Sequence, residues 1–133
     1  MKNRFFLYYL PAILYAGLIF ALSSMKHLEV PDLGVSWSDK IAHFIEYAAF
    51  SFFVVRAFFY GSSPSKRKRN LWIAFFLSLL YAALDEFHQI YVPGRTACVS
   101  DWMADSFGII IGYFIFYYWR KFEDRFRHLY AGS

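Results

Sequence analysis

The sequence predicts an all-α integral membrane protein: one bundle of four transmembrane helices with both termini in the cytoplasm. Three observations carry this reading. Apolar residues make up 59% of the chain, aromatics 24% and charged residues only 18%, whereas a soluble domain is about half apolar and a quarter charged. The charges are clumped, leaving four long stretches nearly free of them. Each stretch reaches the roughly 20 mainly apolar residues that a spanning helix needs. At 133 residues the chain is long enough for one domain, 1–133.

The elements follow in order. Phe5 to Ser24 is the first span, with Pro11 and Gly17 tolerated as they are in lipid. It is longer than the core of a secretory signal and three further spans follow, so it is expected to stay uncleaved, although Ala21-Leu22-Ser23 weakly resembles a cleavage site. Met25 to Ser38 is a polar connection with Pro31 and Gly34. Asp39 to Tyr60 is the second span, stopped by Gly61. Ser62 to Asn70 is a short loop with the basic run Lys66-Arg67-Lys68-Arg69. Leu71 to about Tyr91 is the third span, broken by Pro93-Gly94. Asp101 to Trp119 is the fourth, and a polar cytoplasmic tail, 120–133, begins at Arg120. No internal repeat stands out. Tyr8, Tyr9, Trp72, Tyr91, Trp102, Tyr117, Tyr118 and Trp119 sit near span ends, where interfacial aromatics belong.

Lysine and arginine set the orientation. Lys2, Arg4, Arg56, the run 66–69, Arg120, Lys121, Arg125 and Arg127 place 11 of the 14 basic residues on one side. Only Lys26, Lys40 and Arg95 are left for the other. The N-terminus, the middle loop and the C-terminus are therefore expected in the cytoplasm. The net charge of +4 is spread as loop markers, so nucleic acid is not an expected partner; membrane lipid is. The basic run needs nothing beyond topology and attraction to anionic lipid. Cys98 is the only cysteine, which excludes an intrachain disulfide.

Polar residues converge in one layer toward the outer face. On the second span, Asp39, His43, Glu46 and Tyr47 form one stripe, with His43 about 6 Å and Glu46 about 10 Å deeper than Asp39. On the third, Asp85 and Glu86 stand about 21 Å above Leu71, and Gln89 follows one turn beyond Asp85. On the fourth, Asp101 and Asp105 share a stripe with Gly108 and Gly112, and small residues four apart mark a face against protein. An ionisable group in the membrane costs at least about 2.5–3.5 kcal/mol on insertion scales, so several in one layer imply pairing, binding or a wet cavity. Plainer readings stand beside this one. Asp39 and Asp101 also suit helix N-caps, His43 alone would be a packing histidine, Arg95 is equally a partner for a carboxylate, and His88 faces either the cavity or an interface.

With these residues in hand, the chain resembles the VanZ-like family of bacterial membrane proteins. The matching pieces are Asp39-Lys40 with His43-Phe44 and Tyr47, Asp85-Glu86 with Gln89, Pro93-Gly94-Arg95, and Asp101 with the Gly108/Gly112 pair. The resemblance covers residues 5 to about 119. One departure is Asp105, where the family pattern usually has Asn; Ala97-Cys98 has no counterpart in the pattern. The resemblance implies a bacterial cytoplasmic membrane and a role in the cell envelope. The family's name-giving member is associated with low-level resistance to the glycopeptide teicoplanin.

Three functions follow as expectations. The first is an enzyme or binding protein for a lipid-linked or cell-wall precursor, or a glycopeptide, at the outer leaflet. Asp85 or Glu86 would be a general base, His43 would shuttle the proton, and Lys40, Tyr47, Gln89 and Arg95 would bind, Arg95 gripping phosphate or carboxylate. Asp39, Asp101 and Asp105 are candidate ligands for a divalent cation, since clustered oxygens suit Mg²⁺ or Ca²⁺. The second is a non-catalytic membrane protein whose polar layer is an internal ion-pair network. The third is a small transporter or proton relay, with a homodimer, the simplest homo-oligomer, supplying its second half.

Overall fold

The computed structural model describes residues 5–25, 38–93, 95 and 98–130. Lys2, Arg4, the connection 26–37 with Lys26, Pro31 and Gly34, and also Gly94, Ala97 and the last three residues lie outside the described residues. Four helices long and apolar enough to cross a membrane make up the fold. We number them α1 (Phe5–Ser23), α2 (Ser38–Gly61), α3 (Arg67–Gln89) and α4 (Val99–Tyr130). No strand occurs among the described residues.

α1 opens with a π-helical turn, Phe5–Tyr9, and Pro11 explains it. Proline has no N–H to give the carbonyl four residues back, and its ring crowds that carbonyl. The wider turn makes room, and the freed Leu7 carbonyl accepts a hydrogen bond from Arg56 Nη1 at 3.2 Å. Between α2 and α3 the expected loop is shorter than the sequence suggests. Pro64–Lys66 forms a single 3₁₀ turn, for which the fixed φ of proline is suited, and the helix resumes at Arg67. The basic run is thus largely helical, with the Arg67 guanidinium 4.6 Å from the Phe59 ring centroid. α4 also exceeds its expected length. It continues unbroken through the polar tail to Tyr130, held by an Arg120–Asp124 pair at 3.0 Å and by the Tyr60 hydroxyl donating to Glu123 at 2.5 Å.

Cross-helix bonds give the directions. Lys40 meets Asp101, Ser51 donates to the Ile109 carbonyl, and Tyr60 meets Glu123, so α2 and α4 run parallel. Tyr81 donates to the Ala16 carbonyl and Ser24 bonds His88, so α1 and α3 run together and opposite to them. The α2–α4 seam is the tightest in the bundle. A β-carbon added at Gly108 would land on the Phe44 carbonyl oxygen, and one at Gly112 on the Ala48 carbonyl oxygen. The glycine stripe therefore faces protein, as small residues at membrane helix contacts do.

Outward faces carry Leu14, Phe76, Leu80, Phe107 and Phe114, each more than half exposed. So much exposed apolar surface on spanning helices is a surface for lipid, and the protein is a multi-pass membrane protein. The two ends of the bundle differ. The end where α1 begins and α4 finishes is basic and aromatic. The end where α2 and α4 begin and α3 finishes is rich in carboxylates.

Candidate functional site

The carboxylate end is assembled from the first turns of α2 and α4, the last turns of α1 and α3, and the segment joining α3 to α4. Helical periodicity aims His43, Glu46 and Tyr47 from α2, Asp85, Glu86 and Gln89 from α3, and Asp101 and Asp105 from α4 inward. Asp39 and Asp101 sit in the first turns of helices that begin at Ser38 and Val99, not at the caps. A carboxylate there is favoured by the positive end of the helix dipole.

At the mouth, Lys40 Nζ stands 2.7 Å from Asp101 Oδ1. One turn deeper, His43 Nδ1 lies 2.9 Å from Asp105 Oδ1 and 3.7 Å from Glu86 Oε1. The three side chains are buried, Asp105 completely. The second oxygen of Glu86 accepts the Cys98 backbone N–H at 3.3 Å. Beside them, Gln89 Nε2 donates to Asp85 Oδ2 at 3.1 Å. The Tyr47 hydroxyl, fully buried, points at the Asp85 carboxylate without reaching hydrogen-bond geometry. Three carboxylate oxygens stay unpaired inside this layer: Asp85 Oδ1, Glu86 Oε1 and Asp105 Oδ2.

A cavity of about 160 Å³ lies against this layer, lined by Asp39, His43, Glu46, Asp85, Gln89 and Arg95, and closed on the fourth side by Leu22 and Ser23 of α1. At about 30 Å³ per water it has room for roughly five waters. A second recess of about 350 Å³ opens between α3 and α4, with Glu86 beside Phe87, Ile90, Val99 and Trp102. That recess is apolar and on the lipid-facing surface, and Glu86, which lines it, stands 3.7 Å from His43, which lines the polar cavity.

Most residues singled out from sequence meet here. His43 and Glu86 join Asp105, Asp85 joins Gln89 and Tyr47, and Lys40 joins Asp101. The three aspartates considered as cation ligands do not gather. Asp39 is exposed at the cavity, Asp101 is engaged by Lys40, and Asp105 belongs with His43 and Glu86. The one group of three or more possible metal ligands among the described residues is His43, Glu86 and Asp105, with ligand atoms within 4.8 Å of one another. His88 turns to α1, with its Nε2 3.0 Å from Ser24 Oγ and its ring 4.8 Å from Phe20. Arg95 is tied by Nη2 to the Leu22 carbonyl at 3.1 Å and by Nε to the Met25 carbonyl at 3.5 Å. The contribution of α1 was not foreseen; its only sequence signal is that the carbonyls of a last helical turn need donors. Nor was the Cys98 backbone donor, because a main-chain group leaves no mark in sequence.

Outside the spans, Cys98 is exposed, and the Ser100 hydroxyl 3.0 Å from its sulfur holds the thiol below its ordinary range.

Four membrane-length helices enclosing a buried histidine–carboxylate layer near one end define a multi-pass membrane protein with an intramembrane polar site. The VanZ/LLP1 family model matches residues 6–120, and the chain belongs to that family. Comparison with curated proteins and with solved structures returned no match.

Proposed function

We propose that the protein lies in a bacterial cytoplasmic membrane with its basic end in the cytoplasm and its carboxylate end outward, and that it binds or acts on a lipid-linked cell-wall precursor. The observation that carries this reading is a polar cavity and an apolar recess joined through the 3.7 Å contact between His43, which lines the first, and Glu86, which lines the second. The polar one, about 160 Å³, is below the roughly 300–1,000 Å³ of a site for a whole drug-sized molecule. It suits a single anionic headgroup, while the apolar recess suits the first part of an attached chain. Arg95 lines the polar cavity and is anchored by two carbonyls, which orients its guanidinium for phosphate or carboxylate. Asp85 or Glu86 acts as general base, and His43, beside Glu86 and Asp105, carries the proton between α3 and α4. A link to teicoplanin susceptibility would follow from contact with the same precursors.

A second reading, a non-catalytic protein held together by its polar layer, draws support from the Lys40–Asp101 and His43–Asp105 pairs. One variant separates the two. Glu86→Gln keeps shape and hydrogen bonding but loses basicity. Its melting temperature in detergent and growth of cells under teicoplanin or another envelope stress are measured at matched expression. Unchanged melting with a lost phenotype supports the site. Lowered melting, with a phenotype that falls only with protein level, supports the structural network and removes the first reading.

A further inference from the structure

The buried layer holds more carboxyl groups than cations to pair with them. Glu46, Asp85, Glu86 and Asp105 face one another across α2, α3 and α4. Lys40 is spent on Asp101. His43 and Arg95 are the cations left beside them among the described residues, and the Arg95 hydrogen bonds run to carbonyls. A site for an anionic headgroup walled by carboxylates is also repulsive unless a further positive charge stands there. We infer that His43, Glu86 and Asp105 bind one divalent cation of the first transition series, Zn²⁺ or Mn²⁺. The inference rests on the proposed headgroup site for its purpose, but not for its geometry, and it leaves Asp85 rather than Glu86 as the general base.

The geometry has three parts. Ligands of a tetrahedral Zn²⁺ with bonds of about 2.0–2.2 Å stand about 3.3–3.6 Å apart. His43 Nδ1 lies 2.9 Å from Asp105 Oδ1 and 3.7 Å from Glu86 Oε1, either side of that spacing. All three ligand atoms lie within 4.8 Å of one another, so a modest contraction around the ion admits it in place of the His43–Asp105 hydrogen bond. Second, Glu86 Oε1 and Asp105 Oδ2 are buried with no hydrogen-bond partner. Such lone pairs are costly in a low dielectric unless something fills them. Third, Glu86 Oε2 is held by the Cys98 N–H, so the free oxygen is oriented toward His43, as outer contacts orient metal ligands.

Ligand chemistry selects the ion. One imidazole with two carboxylates suits Zn²⁺ or Mn²⁺. Ca²⁺ wants six to eight oxygens, and Mg²⁺ binds through oxygens and keeps its waters. Three protein ligands leave a position open. His43 lines the polar cavity and Glu86 the apolar recess, so that position lies where a phosphate oxygen would arrive.

The test uses the full-length protein in detergent, stripped with a chelator and titrated calorimetrically with Zn²⁺, Mn²⁺, Mg²⁺ and Ca²⁺. One equivalent of Zn²⁺ or Mn²⁺ should bind and raise the melting temperature. Asp105→Asn and Glu86→Gln should each weaken binding at least a hundredfold, while Asp124→Asn, which removes a carboxylate from the opposite end, should leave it intact. X-ray absorption of the wild-type complex, which needs no variant to fold, should show one imidazole and oxygen ligands. No binding, binding of Mg²⁺ or Ca²⁺ alone, a sulfur ligand from Cys98, or binding unaffected by both variants would each overturn the site. A polyprenyl phosphate probe is then added to the stripped and the loaded protein. Metal binding with no effect on the probe removes the headgroup reading and keeps the metal; probe binding by a protein that takes no metal does the reverse.

Discussion

The two ends of this bundle are built from the same four helices by opposite means. At the basic end, Phe116 packs its ring against Phe52, Phe59 and Tyr60 at 5.5–6.1 Å. Arg67 and Arg120 both lie over the Phe59 ring, at 4.6 and 4.1 Å. Charge there lies on aromatic faces, where a cation–π contact contributes about 0.5–1 kcal/mol, and one of its atoms, Arg67 Nε, is buried without a hydrogen-bond partner. At the carboxylate end, charge is placed inside, and three buried oxygens have no hydrogen-bond partner. The chain stacks aromatics at one end and, at the other, buries carboxylates with oxygens that lack a hydrogen-bond partner; the proposed function places the chemistry at the second.

That division can be broken experimentally, and the largest effect on stability is expected at the aromatic end. Phe116→Ala removes a side chain only 3% exposed. Core Phe→Ala changes cost about 3–5 kcal/mol in soluble proteins. Helix association in lipid lacks the transfer term, so about 3 kcal/mol is expected, read as a clear drop in melting temperature with the phenotype lost in step. Lys40→Met comes next. It strands Asp101, whose side chain is 9% exposed, but Lys40 itself is 32% exposed, so solvent screening holds the loss to about 1 kcal/mol. Equilibrium unfolding in detergent would measure it.

Asp85→Asn should change stability least, by less than about 1 kcal/mol and in either direction, because the amide oxygen still accepts from Gln89 while one buried charge is removed. Its phenotype under envelope stress should nevertheless be lost. A melting loss matching that of Phe116→Ala would instead make both ends structural and erase the contrast.

The last prediction sharpens the comparison by placing the ends in the membrane. Cys98 is exposed on the segment leading into α4. A membrane-impermeant maleimide should label it in intact cells if the carboxylate end faces outward, and only after lysis if it faces the cytoplasm. Because its hydrogen bonding with Ser100 holds the thiol below its ordinary range, the labelling rate should climb through a midpoint below that of an ordinary thiol, near pH 8.5.

Much of the site was legible because helical periodicity is a local property. Spacings of three and four put His43 with Glu46 and Tyr47, and Asp85 with Gln89, before any packing is known. The Gly108/Gly112 stripe announced a close helix contact, and that contact is the α2–α4 seam. Partner choice was not legible. Asp101 and Asp105 stand one turn apart and look alike in sequence, yet one meets Lys40 and the other His43. The depth at which α4 docks on α2 decides which, and that depth is set where the Phe44 and Ala48 carbonyls meet the glycines. Helix ends were also displaced. The basic run and the polar tail are hydrophilic, so hydropathy ends the spans before them, yet the run is α-helical from Arg67 and the tail as far as Tyr130.

Sequence alone determined the solvent of this protein, the number of its spans and which residues face inward, because those follow from composition and from a period of 3.6 residues. Tertiary structure decided that His43, Glu86 and Asp105 form one group drawn from three helices. It also turned His88 away to α1, and made the end of α1 a wall of the cavity. These are relations between segments as many as 73 residues apart, as for Arg95 and Leu22. They depend on how far each helix slides and turns against its neighbours, which no local pattern encodes.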